Sequence, residues 1–246
     1  MASKKHDSTH TEVSWVVRCG FGWLMFIAQI LLCGSLGLCI YWVLGYRDGI
    51  AWANDKKKQF NLHYVLMIGG TIFLNGQAIL VYKLFPCCKK IYGKVVHTII
   101  FVLSISCITI GLVVAIQVRN AKNEESHFYS LHSWIGLVTV GLFALQFVVG
   151  FISFLVLLCC ENSTAKFRQR LLPTHITFGL IIFSLAVASC VTGLTESAIK
   201  LQDYKKFGKE GIIINSLGIA LIALAIILPY IIQNNSFKRY TTLTIN

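Results

Sequence analysis

FYSLHSWIGLVTVGLFALQFVVGF, residues Phe128 to Phe151, is almost wholly apolar, yet it carries His132 four residues from its start. It contains no proline, acid, lysine or arginine. An α-helix rises about 1.5 Å per residue, so roughly 20 such residues cross a hydrocarbon core of about 30 Å. The stretch therefore predicts a membrane-spanning helix headed by a histidine. A charged side chain at the bilayer centre costs about 2.5 kcal/mol or more, so an ionisable residue within a span reads as functional by default.

The rest of the chain repeats the theme. Its 246 residues are 56% hydrophobic and 13% charged, where a soluble domain carries about 25% charged residues. The apolar residues fall in six long runs, at about 20–45, 62–82, 95–118, 131–158, 174–198 and 212–233. The fold class expected is an all-α membrane protein of six transmembrane helices, in which the second to fifth form a four-helix core. Three segments follow: an N-terminal tail at 1–19, the helical domain at 20–233 and a C-terminal tail at 234–246. The first tail contains Lys4, Lys5 and His6 without an apolar core, so it is not expected to be a signal peptide.

Six spans place both tails on one side of the bilayer. That side carries 12 lysines and arginines against 10 on the other, a small bias toward cytosolic termini. The cysteines agree. The pairs Cys87–Cys88 and Cys159–Cys160 lie at the terminus side, and the three opposite loops contain none, although disulfides would be permitted in an oxidising compartment there. The paired cysteines also suit palmitoylation as well as they suit bare thiols. With cytosolic termini, the sequons at Asn162 and Asn234 are expected to be unglycosylated. A vesicle, endolysosomal or plasma membrane would each suit a multi-pass protein of this pattern. The net charge of +12 follows from basic loops beside lipid headgroups. No groove, arm or basic helix supports nucleic-acid binding.

Four histidines open four consecutive spans: His63 in FNLHYVLMIGG, His97 in KKIYGKVVHTII, His132, and His175 in LLPTHITFGL. Consecutive spans run in opposite directions, so His63 and His132 share one membrane face, and His97 and His175 the other. In an up-and-down bundle the second and fourth helices lie on one diagonal and the third and fifth on the other. Each diagonal pair can reach inward from both sides, as in cofactor sites within helix bundles. Two imidazoles on opposite faces of one iron give a six-coordinate haem suited to electron transfer. Gly69, Gly70, Gly76, Gly136, Gly141 and Gly179 could admit a macrocycle close to backbone, although span glycines more often serve helix packing. Zinc would want more ligands than two histidines, and the absence of C-x-x-C-H excludes a covalently attached c-type haem. The residues thus point to two non-covalent haems. The alternative is a histidine-lined transporter or channel without haem, which predicts broken helices and carboxylates within the spans. The spans are read as containing neither, with Pro86, Pro173 and Pro229 all at span ends.

FYSLHSWIG, FNLHYVLM, GLTE (Gly193 to Glu196) and INSLG (Ile214 to Gly218) together resemble the cytochrome b561 family, six-helix proteins that carry electrons from ascorbate across membranes. The resemblance covers roughly residues 40 to 220. It implies two haem b groups held by His63 with His132 and by His97 with His175, the pairs that topology had already formed. It implies a cytosolic ascorbate site at Lys90, Lys94 and Arg168, which stand seven, three and seven residues before their histidines. Cations there would hold the ascorbate monoanion. The implied acceptor is monodehydroascorbate or ferric ion, and the implied surroundings are the lipid bilayer, with a homodimer among the assemblies that suit it. Two departures stand out. Tyr64 replaces the family's usual proline after the second-span histidine. Asn120 replaces an outer histidine twelve residues before His132, with His127 nearby but out of register; Ser133 and Trp134 keep the pattern at that face.

Overall fold

The protein is described here from a computed structural model that places residues 14–52, 55–84, 89–121 and 128–237. Six helical rods are long and apolar enough to cross a membrane. The first is α1 (Trp15–Tyr46). Lys56–Leu84 forms the second rod, built from α2 (Lys56–Met67), a π-helical stretch (Ile68–Leu74) and α3 (Asn75–Leu84). The others are α4 (Lys90–Ala121), α5 (Leu131–Phe154), α6 (Glu161–Ile199) and α7 (Lys209–Gln233). Their starts obey local chemistry. Asp55 accepts from the amides of Lys57 and Lys58, and Ser130 accepts from Ser133, so α2 and α5 begin on capping side chains just ahead of their histidines.

Three expectations need correction. The fourth span stops at Phe154 instead of reaching 158: Leu155 caps α5, its amide still donating to the Phe151 carbonyl, and a 3₁₀ turn, Val156–Cys160, leads straight into α6. Pro173 and Pro229 lie inside α6 and α7, not at span ends. Glu196 lies inside α6 and within the fifth apolar run, so one carboxylate does sit in a span, near its outer end. The second rod is locally wound as a π-helix, but it is not broken. There Gly70 closes on α4: an added β-carbon would meet the Ser104 carbonyl oxygen at 3.0 Å, and Ser104 Oγ donates to the Gly70 carbonyl at 2.8 Å.

Packing runs along the four sides of the expected core: the second rod with α4, α4 with α5, α5 with α6, and α6 back to the π-helical stretch and α3. α1 and α7 pack on each other and cover the side made by the second rod and α6. The main apolar core lies here, where Leu32, Trp42, Ile72, Phe183, Leu217, Leu221 and Leu224 are fully buried. A smaller cluster, Ile108, Phe143 and Ile182 with Phe101 against it, fills the middle of the four-helix core. Aliphatic and aromatic residues such as Trp23, Leu137, Leu145, Ile219 and Ile226 are exposed on the outer surface, as lipid-facing helices require. Phe21 of α1 stacks edge-on against Phe237 beyond α7 at 5.3 Å, so the start of α1 and the end of α7 lie at one face.

Candidate functional site

The structure joins the four histidines in the two pairs expected. The rings of His63 and His132 have centroids 6.2 Å apart, and those of His97 and His175 are 6.5 Å apart. Metal–imidazole bonds of about 2.0–2.1 Å, with about 1.1 Å more from nitrogen to ring centre, put two imidazoles on opposite sides of one metal about 6.3 Å apart. Both pairs match that spacing. The rings are also too far apart to hydrogen-bond each other directly.

The second ring nitrogen is held in three of the four. His63 Nδ1 pairs with the Gly111 carbonyl at 3.0 Å, His97 Nδ1 with the Ala78 carbonyl at 2.8 Å and His132 Nδ1 with the Ser189 carbonyl at 2.8 Å. A carbonyl only accepts, so Nδ1 carries the proton and leaves the Nε2 lone pair for a ligand. Nδ1 of His175 is buried without a hydrogen-bond partner; its own carbonyl accepts from Gln146 Nε2 at 2.6 Å. These bonds also fix depth. Gly111 stands 14 residues beyond His97 on α4, and Ser189 stands 14 beyond His175 on α6. Both helices therefore separate the two levels by about 21 Å, and the small central cluster lies between them.

Two glycines missed in the sequence make room for the rings. A β-carbon at Gly193 would stand 2.8 Å from Cε1 of His132, and one at Gly150 would stand 2.7 Å from Cε1 of His175. His132 and Gly150 are 18 residues apart, as are His175 and Gly193, which is five helical turns and hence one face of each helix. That spacing was the available signal. Of the glycines singled out earlier, Gly76 packs on Leu32, Gly136 faces Ser189 Oγ, Gly179 faces Gln146, and Gly141 has nothing within 4 Å.

Around the inner pair stand Tyr82 and Phe101, 5.4 and 4.7 Å from the ring of His97, and Phe154, 5.1 Å from that of His175. Lys94 and Lys90 lie one and two turns below His97 on α4, and Arg168 two turns below His175 on α6, so all three are on histidine-bearing faces at the terminus side. Lys94 and Arg168 are half-buried and Lys90 is exposed.

The outer pair opens into a cavity also lined by Phe60, Arg119, Ser133, Glu196 and Lys200. Trp134 points away and is 66% exposed; Asn120 is exposed too, and His127 lies outside the described residues. Tyr64, in the proline register, ties three rods together. Its ring packs on Trp42 at 4.8 Å and its hydroxyl meets Ser197 Oγ at 2.9 Å. Glu210 accepts from Trp42 Nε1 at 2.8 Å and pairs with Arg47 at 2.9 Å, closing the outer end of α1 against α7.

Comparison with known proteins agrees with this architecture. The family described as eukaryotic cytochrome b561 matches residues 62–201. The chain is 34% identical to the lysosomal membrane ascorbate-dependent ferrireductase of Mus musculus, over 89% of this chain and 92% of the relative. It is 37% identical to the transmembrane ascorbate-dependent reductase of Ovis aries, over 80% of this chain and 77% of the relative. It is 35% identical to the plasma membrane ascorbate-dependent reductase of Xenopus laevis, over 88% and 77%. With six spans, two histidine pairs and this similarity along most of its length, the chain belongs to the eukaryotic cytochrome b561 family and is a multi-pass membrane oxidoreductase.

Proposed function

We propose that the protein passes single electrons from cytosolic ascorbate through two haem b groups to monodehydroascorbate or ferric ion on the opposite side. His97 and His175 would hold the inner haem, and His63 and His132 the outer. The observation that carries this reading is the spacing of the two pairs, 6.2 and 6.5 Å between ring centroids, at the distance two imidazoles need around one iron. Bound there, haem iron supplies a one-electron carrier.

The chain's own residues do the rest. Backbone carbonyls at Gly111, Ala78 and Ser189 hold three imidazoles in the tautomer that offers Nε2 and fix their orientation. With both imidazoles of a pair engaged on one iron, each site would suit electron transfer and not oxygen chemistry. Tyr82, Phe101 and Phe154 pack around the inner pair. Lys90, Lys94 and Arg168 hold the ascorbate monoanion at the inner face. The distribution of lysine, arginine and cysteine supports placing that face, with both termini, in the cytosol.

The test is optical and vectorial. Purified protein should show a haem Soret band. In sealed vesicles loaded with ferric citrate, ascorbate added at the terminus side should yield ferrous ion inside. A folded but colourless protein would end this reading and favour the histidine-lined transporter.

A further inference from the structure

The acceptor's side of the molecule departs from the family pattern, and the outer cavity shows what stands there instead. Asn120, in the register of the family's outer histidine, is exposed and takes no part in the lining. The preceding residue, Arg119, does line the cavity together with His63 and His132. Arg119 belongs to the last turn of α4, and its guanidinium lies over the ring of Tyr129 at 5.6 Å. Across the cavity α6 contributes Glu196 and, at its C-cap, Lys200. Among the described residues, two cations and one carboxylate therefore line the cavity beside the outer histidine pair.

We propose that Arg119 and Lys200 form the outer acceptor site and that this site takes an anionic acceptor, one presenting carboxylate or enolate oxygens. The proposal rests on the outer haem being the exit for electrons. Arginine offers a planar fork of donors that matches a carboxylate through two hydrogen bonds, which lysine and histidine cannot do. Contact with Tyr129 orients that fork. Arg119 is half-buried, and partial removal from water strengthens its attraction for an anion. Two sources share this chemistry: a ferric polycarboxylate chelate and the monodehydroascorbate radical anion. In either case one electron leaves ferrous haem, which becomes ferric. The chelated Fe(III) becomes Fe(II), or the radical takes that electron and one proton from water to become ascorbate.

The experiment uses the full-length holoprotein, pre-reduced with stoichiometric dithionite and mixed rapidly with ferric citrate, with pulse-generated monodehydroascorbate, or with cationic hexaammineruthenium(III). Calorimetric titration of the oxidised protein with redox-inert gallium citrate measures binding alone, and midpoint potentials of both haems are recorded. Arg119→Gln and Lys200→Gln should each raise the half-saturating concentration of an anionic acceptor about tenfold or more, since hydrogen bonds to charged groups are worth roughly 1.5–3 kcal/mol. Gallium citrate affinity should fall by the same factor. The limiting rate, both potentials and the reaction with the ruthenium cation should stay as in the wild type, and Arg119→Lys should recover part of the loss. Whichever anion responds identifies the source, and a response to both means the site reads charge and carboxylate geometry alone. Unchanged half-saturation for both anions overturns the proposal. So does equal slowing with anionic and cationic acceptors together with a moved outer potential, which would place Arg119 on the haem propionates. Failure of the wild-type protein to show haem or to be reoxidised by any acceptor would instead overturn the function on which the proposal rests.

Discussion

Gly150 and His175 are in contact across the α5–α6 interface, so close that a β-carbon at position 150 would stand 2.7 Å from Cε1 of the imidazole. The relationship recurs at the other end of the same two helices, where a β-carbon at Gly193 would stand 2.8 Å from Cε1 of His132. Non-bonded carbons do not approach so closely, so alanine must push the ring aside or separate the helices. Gly150→Ala should deplete the His97–His175 haem, and Gly193→Ala the His63–His132 haem. Haem-to-protein ratio and low-temperature spectra measure this, each mutant losing one component. Gly141→Ala on the same helix, where nothing lies within 4 Å, should retain both. Full haem content in Gly150→Ala and Gly193→Ala would show that the rings have room to shift.

The histidines themselves should fail in pairs. His63→Ala and His132→Ala should remove the same spectral component, and His97→Ala and His175→Ala the other, because each pair shares one level and the levels are about 21 Å apart. Electron paramagnetic resonance of the ferric protein resolves the two sites. Equal loss of both signals in every variant, with the protein still folded in detergent, would contradict separate sites.

How much of this was legible beforehand follows from which features are local. The six spans follow from run length alone, since crossing lipid demands about 20 apolar residues wherever they occur. The pairing of His63 with His132 and of His97 with His175 follows from the alternating direction of the spans. Rotation of each helix about its axis does not follow from either. Gly70 and Gly76 therefore turned out to pack against Ser104 and Leu32, while Gly150 and Gly193 were overlooked. The π-helical stretch at Ile68–Leu74 has no reliable local signature, because it depends on how closely α4 approaches Gly70. At the outer face, register alone pointed to Asn120, but one residue is about 100° of helical rotation, enough to put Arg119 inside the cavity and Asn120 outside.

Glu210 should matter to stability more than to colour. It accepts from Nε1 of the buried Trp42 and pairs with the part-buried Arg47 at the outer end of α1. Removing its carboxylate strands two donors, at about 1–3 kcal/mol. Glu210→Ala is thus expected to melt several degrees lower in detergent, with haem content and ascorbate reduction unchanged below the transition. A variant that melts with the wild type would mean that water replaces the carboxylate fully.

Orientation can be checked chemically. If the termini are cytosolic, as proposed, neither Asn162 nor Asn234 meets the glycosylation machinery, and the protein should migrate identically before and after glycosidase. A glycosidase-sensitive mass shift lost in Asn162→Gln would reverse the assignment of inner and outer faces, and with it the donor and acceptor sides.

The inner donor site is the remaining assignment open to direct measurement. Lys94 and Lys90 lie one and two turns from His97, and Arg168 two turns from His175, all toward the terminus side. If they hold ascorbate through charge-assisted hydrogen bonds of roughly 1.5–3 kcal/mol each, Lys94→Ala and Arg168→Ala should need about ten- to a hundredfold more ascorbate for half-reduction. Dithionite, which does not depend on that site, should still reduce both haems completely. Lys90→Ala should have the smallest effect of the three, because Lys90 is exposed whereas Lys94 and Arg168 are half-buried. A general surface-charge role makes a different prediction: a small change that disappears with salt, since exposed charges are screened within about 10 Å at 0.1 M. Ascorbate titrations of the three variants at two ionic strengths separate the two. A large, salt-resistant shift keeps these residues at the donor site, and wild-type half-reduction in Lys94→Ala and Arg168→Ala removes them from it while leaving the histidine pairs untouched.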